Sequence, residues 1–425
     1  MRAIISAVLM AMISLSVNCA AIAKDSLTTA EKEEIEKQKN ILDEITQLYA
    51  ERALQRPADF TACVREMFAM RRSNKCRDKF THYSTPEEVK QFDDAMAGKF
   101  GGVGIEITQK GDMVVVVAAI EGTPAERAGI KANDIILKVN GKETESVDEA
   151  ASLIRGKPGT KVTLTVFRQK TKKELTFTLT RETIVVESVK WRLSSADPKI
   201  GVIKINRFDH EVPEKFAKAV IGLDKEGAKR VIIDLRNNPG GYLDSALAML
   251  GLFAQKKDII LTVRHRHSEE VITLSKGMPL RAWKSHMDAS QALLKDLNKD
   301  SLKDISVVIL VNNGSASASE IFAGTMKDWG YPIVGEKSFG KGVGQEIISL
   351  SDGSRLALTT FEFLAGNGKA VIRDKGVKPT IEVKVPEENS RNKKEDKDDL
   401  QLMKAIEVLE SCKKGIASVY KCARK

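Results

Sequence analysis

Three hydroxyls alternate with small residues in Asn312-Asn-Gly-Ser-Ala-Ser317-Ala-Ser-Glu320, between the apolar run 307–311 and the apolar run 321–326. Side chains this small leave the backbone bare at the start of a helix, where N–H groups and the helix dipole can stabilise an oxyanion. Taken alone, Ser317-x-x-Glu320 reads first as a capping box. Lys341 changes that balance. It follows the next strand in a glycine-rich loop, Phe339-Gly-Lys341-Gly-Val-Gly-Gln345, with apolar runs on both sides. A lysine with its usual pKa of about 10.4 is neutral in only about one molecule in 2,500 at pH 7. To serve a serine as general base it must fall by about 3, a difference of about 4 kcal/mol that burial can supply. A third element, Asp234-Leu-Arg-Asn-Asn-Pro-Gly240-Gly241, ends a core strand. Its glycines let the backbone approach a ligand closely and offer further N–H donors.

Other chemistries lack their residues. H-E-x-x-H and G-x-S-x-G are both absent, and the five histidines (His82, His210, His265, His267 and His286) fall in loops or polar segments. His265-x-His267 has no acidic partner at ligand spacing, so neither a metal nor another cofactor is expected. Residues 335–341 fit G-x-x-x-x-G-K, but Gly342 stands where a magnesium-binding Ser or Thr is required and no helix follows.

The elements that must position these groups follow from the patterning. The chain has 425 residues, 42% apolar and 30% charged, which suits two to four globular domains. Arg2, the apolar stretch 3–17 and Ala21-Ile-Ala23 have the layout of a secretory signal peptide, so residues 1–23 are expected to be removed on export, the alternative being an uncleaved anchor or one lipid-modified at Cys19. The basic balance of +10 then becomes +9 and coincides with no nucleic-acid motif. Residues 24–96 read as helical and residues 97–183 as a small β domain, with Asn140-Gly141 as a hairpin signal. Residues 184–386 alternate strands with helices, and runs such as Val307-Val-Ile-Leu-Val311 suit strands covered on both faces. Residues 266–304 look like a polar insertion, with a helix near 289–297. A charged linker and a short helix occupy 387–425. Export also leaves Cys63, Cys76, Cys412 and Cys422. Two local disulfides, Cys63 with Cys76 and Cys412 with Cys422, are the simplest of three possible connectivities.

Together and in this order, the motifs resemble the carboxyl-terminal processing (tail-specific) serine peptidases. The resemblance spans about residues 48–383. It rests on Phe100-Gly-Gly-Val-Gly-Ile-Glu, Gly122-Thr-Pro-Ala-Glu-Arg-Ala-Gly-Ile-Lys, Asn133-Asp-Ile-Ile-Leu-Lys-Val-Asn-Gly and Asp234-Leu-Arg-Asn-Asn-Pro-Gly-Gly. It continues in Gly314-Ser-Ala-Ser-Ala-Ser-Glu, Gly335-Glu-Lys-Ser-Phe-Gly-Lys-Gly and Gly376-Val-Lys-Pro. One departure is that Ser317 and Lys341 lie one position closer than the family commonly shows. The turn Asp328-Trp-Gly-Tyr331 can absorb the difference.

The resemblance implies an α/β fold, α+β overall: a ClpP/crotonase-like peptidase core with an inserted PDZ domain and helical terminal regions. It implies Ser317 as nucleophile, Lys341 as base and Gln345 as the group that orients the lysine. The N–H of Ala318 and that of Gly240 or Gly241 would form the oxyanion hole. In the PDZ domain Gly101, Gly102, Val103 and Gly104 would receive a substrate's C-terminal carboxylate, and the strand from Ile105 would take the peptide as an added strand. The partners implied are proteins with accessible apolar C-termini, with room for an adaptor and a homo-oligomer, in a periplasmic setting. The competing expectation is an inactive PDZ-bearing scaffold of the same fold.

Overall fold

The computed structural model describes residues 28–55, 63, 80–96, 99–110, 113–119, 122–131, 133–144, 146–169, 171–185, 187–275, 280–295, 302, 305–366, 370–385 and 396–413. The expected signal segment 1–23, Cys76 and Cys422 lie outside them. The chain divides into two units, one reaching Val89 and resuming at Ser188, the other Lys90–Glu187.

In chain order the elements are α1 (Thr29–Arg52), β1 (His82–Ser84), α2 (Pro86–Met96), β2 (Lys99–Gly102), β3 (Ile105–Lys110), β4 (Met113–Ala119), α3 (Pro124–Arg127), β5 (Asp134–Val139), β6 (Lys142–Glu143), α4 (Val147–Ile154), β7 (Lys161–Arg168), β8 (Lys173–Thr180) and β9 (Glu182–Val185). There follow β10 (Val189–Leu193), β11 (Ile200–Ile205), α5 (Val212–Lys225), β12 (Arg230–Asp234), α6 (Leu243–Phe253), β13 (Ile259–Arg264), β14 (Glu269–Thr273), α7 (Leu280–Leu294), β15 (Ser306–Val311), α8 (Ala318–Asp328), β16 (Ile333–Gly335), β17 (Val343–Ser349), β18 (Arg355–Ala365), β19 (Ala370–Val371), β20 (Ile381–Glu382) and α9 (Leu400–Lys413).

The continuous apolar runs become the centre of a mostly parallel sheet, ordered β10-β11-β12-β15-β16-β20, in which only the β10–β11 pair is antiparallel. Successive side chains of a strand point to opposite faces. Val231 and Ile233 therefore join the core made with α5, α6 and α8. Ile232, between them, packs instead with Leu402, Ala405, Ile406 and Leu409 of α9. Both faces are covered, which is why neither β12 nor β15 alternates in polarity. Each such side chain contributes about 1.5–3 kcal/mol on burial.

A second sheet runs β1-β18-β13-β14, with β17 and β19 also paired to β18. Its central strand β18 was not among the sequence expectations, and it is buried along nearly its whole length. Helix α1 covers this sheet through Ile41, Ile45 and Tyr49, which pack with Cys63, Leu356 and Leu358. The segment 266–304 departs from its expectation. Its helix is α7, earlier and longer than the stretch 289–297, and Trp283 and Met287 lie in the main core. Trp283, Met287, Ser290 and Leu294 are buried at helical spacing, a narrow apolar stripe that the polar composition around it conceals.

The other unit is a twisted β domain ordered β3-β4-β5-β7-β8, with Val114, Val116, Leu164 and Val166 at its centre. Asn140 and Gly141 both take positive φ (52° and 80°) and join β5 to β6, as the hairpin signal predicts. Helix α4 packs Ala150 and Ile154 against β3, which is an edge strand.

Candidate active site

Strands β12 and β15 are parallel neighbours, so their following loops emerge side by side, the usual place for a ligand site in such a sheet. The two loops are stitched together. The Asn237 N–H donates to Asn312 Oδ1 (2.8 Å) and Asn312 Nδ2 donates to Asn237 Oδ1 (2.8 Å). The Ala316 N–H donates to the Asn238 carbonyl at 3.0 Å.

The three serines are sorted by this packing. Ser315 is fully buried and its Oγ donates to the Leu235 carbonyl at 2.8 Å. Ser319 is also fully buried and its Oγ donates to the Asn238 carbonyl at 2.9 Å. Both hydroxyls hold the loops together. Ser317 is half-buried at the N-terminus of α8, with φ 55° and ψ −117°. A non-glycine residue in that region costs about 1–3 kcal/mol and persists only where its surroundings enforce it.

Glu320 supplies much of that enforcement. Its carboxylate is fully buried. Oε2 accepts from the Ser317 N–H (3.0 Å) and from the Lys341 N–H (2.9 Å). Oε1 accepts from the Gly340 N–H (2.6 Å) and Ser338 Oγ (2.6 Å). Sequence reading sees Glu320 only as the far end of a capping box. The structure makes it the bracket between the serine turn and the lysine loop.

Lys341 is half-buried, and its Nζ donates to Gln345 Oε1 at 2.8 Å. The pairing of β17 with β18 shifts register between Gly344 and Gln345, a bulge of the kind that re-aims a side chain. Gln345 Nε2 in turn donates to the Phe80 carbonyl, and the Phe80 ring lies 5.3 Å from Lys341 Nζ. Phe80 carries no sequence signal. It reaches the site because β1, just after it, pairs with β18.

Gly240 lies directly against the serine turn. A Cβ there would stand 2.7 Å from the Ala316 carbonyl and the Ser317 Cβ, and 2.9 Å from the Ala318 nitrogen. Its φ of 104° also favours glycine. The Gly240 N–H donates to Asn238 Oδ1 (2.9 Å), which leaves the Gly241 N–H as the candidate donor of the two. Gly241 bridges to Phe208, and the Phe208 carbonyl accepts from the Tyr242 N–H at 2.8 Å.

Behind the loop stands a buried ionic network. Arg236 donates to Asp234 Oδ2 (2.7 Å) and to Asp399 Oδ2 (2.8 Å), and Lys204 Nζ lies 3.3 Å from Asp234 Oδ1. Burial works against ionising Asp234, but Lys204 and Arg236 outweigh it and hold its carboxyl well below the usual range. Burial pushes the Lys204 ammonium down against the attraction of Asp234. Through Asp399 the network ties the segment before α9 to the end of β12.

In the β domain, Val103 and Gly104 form the loop between β2 and β3. The Ala125 N–H donates to the Val103 carbonyl (2.9 Å) and Thr123 Oγ1 to the Gly104 carbonyl (3.3 Å). Gly104 has φ 77°, and a Cβ there would fall 2.3 Å from Thr123. The Gly101 carbonyl accepts from the Gly156 N–H at 3.0 Å. Ile105 opens β3, the edge strand against which α4 packs.

A parallel sheet carrying a serine turn, a lysine loop and a glycine pair, in a chain that also holds a β domain with an edge strand, is the combination expected of the peptidase class set out by the motifs. Residues 199–383 match peptidase family S41, and residues 115–168 match the PDZ domain. Over these two segments the chain is similar to S41 peptidases and to PDZ domains. Over 319 residues it is 39% identical to a protein of Staphylococcus aureus (strain COL) named "Probable CtpA-like serine protease", covering 74% of this chain and 59% of that one. It is 36% identical to the protein of the same name in Staphylococcus epidermidis, covering 74% and 60%. The chain thus spans about three-fifths of the length of these relatives. Among solved structures it resembles the photosystem II D1 C-terminal processing protease (TM-score 0.50, 24% identity, 81% of this chain and 93% of that one). It also resembles an S41-type protein from Bacteroides fragilis NCTC 9343 (TM-score 0.56, 16% identity, 86% and 97%). At such identities the likeness establishes the fold.

Proposed function

We propose that this protein is an exported serine endopeptidase that captures the C-terminal tail of a protein substrate in its PDZ domain and cleaves by acyl transfer through Ser317. The observation that carries the reading is the arrangement of the three serines. Two hydroxyls are spent inside the loops, and the third stands in a strained turn bracketed to a lysine loop by Glu320.

In this mechanism the neutral Lys341 amine takes the Ser317 hydroxyl proton as Oγ attacks the peptide carbonyl carbon. Gln345 Oε1 accepts a hydrogen bond from the amine and aims it, while the Phe80 carbonyl fixes the orientation of the Gln345 amide. The carbonyl electron pair moves onto oxygen, facing the Ala318 and Gly241 N–H groups. On collapse the C–N bond breaks and the Lys341 ammonium returns the proton to the leaving amine. Water then attacks the Ser317 ester, with the amine again taking the proton; on collapse the bond from the acyl carbon to Oγ breaks, the ammonium returns the proton to Ser317 Oγ, and the acid product leaves.

The PDZ reading rests on the edge strand β3 beside α4 and on a loop whose carbonyls are engaged internally. A peptide can extend the sheet there while its carboxylate meets backbone N–H groups. Export is inferred from the segment 1–23 and accords with the expected local cysteine pairs. Cys63 is buried beneath α1, and no described helix is long and apolar enough to cross a membrane.

The test is cleavage of an unfolded protein by wild type and by Ser317→Ala, with parallel labelling by a serine-directed fluorophosphonate. Loss of both signals in the variant supports the reading. Equal cleavage by the variant overturns it, and a wild type that neither labels nor cleaves indicates the inactive scaffold.

A further inference from the structure

We infer that His210, Asp244 and His286 form a binding site for a divalent transition metal of the zinc class, which clasps the inserted helix α7 to the loop that follows β11 and to the first turn of α6. The inference does not depend on the peptidase reading. Their ligand atoms all lie within 4.8 Å of one another. The His210 Nδ1 and Asp244 Oδ2 are 3.2 Å apart, close to the roughly 3.3–3.6 Å between two ligands each about 2.0–2.2 Å from one tetrahedral zinc.

Three features make this more than a surface ion pair. The residues come from three elements: the loop before α5, the first turn of α6, and the middle of α7. Asp244 and His210 each have a neighbour that orients them. Asp244 Oδ1 accepts from the Ser245 N–H at 2.9 Å, which turns Oδ2 toward His210. The His210 ring stacks on Tyr242 at 3.9 Å and lies nearly parallel to the His286 ring at 5.6 Å. Such outer partners fix ring orientation in metal sites. His286 is also more than an ion-pair bystander. Its imidazole faces the His–Asp pair and, when neutral, completes a ligand set.

The chemistry of the set selects the ion. Two imidazoles and one carboxylate suit zinc and its neighbours, whereas calcium and magnesium require oxygen ligands. Three protein ligands leave a fourth position open to water. The sequence hides the site because its ligands are far apart along the chain, and no short motif joins them.

The site has a mechanical consequence. His210 lies two residues past Phe208, and Asp244 two past Tyr242, so both flank the pairing that holds Gly241. Metal occupancy joins that pairing to α7, itself seated in the core by Trp283 and Met287.

The test is a zinc titration of the purified chain in competition with a chromophoric chelator, repeated with cobalt to read its d–d absorption. One equivalent is expected, with tetrahedral cobalt bands, and zinc is expected to raise the melting temperature. His286→Ala should weaken binding by about 10–100-fold or more, as Asp244→Asn should, and both should abolish the cobalt bands. His210→Gln serves as a second histidine variant should His286→Ala not fold, as judged by circular dichroism. No binding by wild type, or equal binding by the folded variants, overturns the site.

Discussion

The Ser317 and Lys341 backbone N–H groups donate to the same oxygen, Oε2 of Glu320, at 3.0 and 2.9 Å. Two loops separated by a helix and a strand are thereby referenced to one buried atom. Replacing Glu320 with Ala would strand several donors, each costing about 1–3 kcal/mol when buried without a partner. Glu320→Ala is expected to lower the melting temperature and abolish cleavage. Glu320→Gln keeps the volume but converts one acceptor to a donor, so it should fold better than Ala and still lose most activity. Thermal melts beside cleavage rates check both.

Lys341→Arg keeps a positive charge and cannot supply a neutral amine, so cleavage should fall by about 10²–10⁴-fold, the usual worth of a positioned base. Gln345→Ala leaves the amine in place but unaimed. A fall in kcat of up to about 10²-fold with KM little changed is expected. Steady-state kinetics on a quenched peptide separates the two.

Gly240→Ala tests the close approach of the two loops. The added methyl would meet the Ala316 carbonyl and Ser317 Cβ at 2.7 Å, in a backbone region that disfavours side chains. The serine turn must move, so labelling by the fluorophosphonate should be lost while the far-ultraviolet circular dichroism stays near wild type.

Gly104→Val should affect only the PDZ unit, because its side chain would strike Thr123. Cleavage of substrates that depend on a free C-terminus should fall. Labelling of Ser317 by the small probe should not change.

The ionic network predicts an acid limit. Asp234 and Asp396 both have carboxyls held below the usual range. Burial opposes this in each, and it is outweighed by Lys204 and Arg236 at Asp234 and by Arg192, Ser194 and the Ser195 N–H at Asp396. For a carboxyl lowered in this way, the stabilisation is complete above its unfolded pKa of about 4 and is lost as pH falls below that value. Stability measured by urea unfolding should therefore be level near neutrality and decline below about pH 4. Arg236→Ala removes one partner of a buried pair and should cost about 3–5 kcal/mol at neutral pH, with a shallower acid decline.

The motifs themselves determined much of the peptidase reading. Ser317, Lys341 and Gln345 sit in short segments where small residues, glycines and flanking apolar runs carry the signal locally. The buried strands β12 and β15 were equally legible, since a strand covered on both faces must be apolar throughout. Asn140-Gly141 declared its hairpin because positive φ demands such residues. What only the tertiary structure decided depends on partners distant in sequence. It gave the Ser315 and Ser319 hydroxyls partners across the loops, and it engaged the Gly240 N–H with Asn238. Glu320 became a bracket, Phe80 entered the site through the β1–β18 pairing, and a polar insertion placed Trp283 in the core and His286 beside His210 and Asp244. A one-dimensional pattern records which side chains can bury, cap or react. It cannot record which of them share a neighbour, because that is settled by strand order and loop packing.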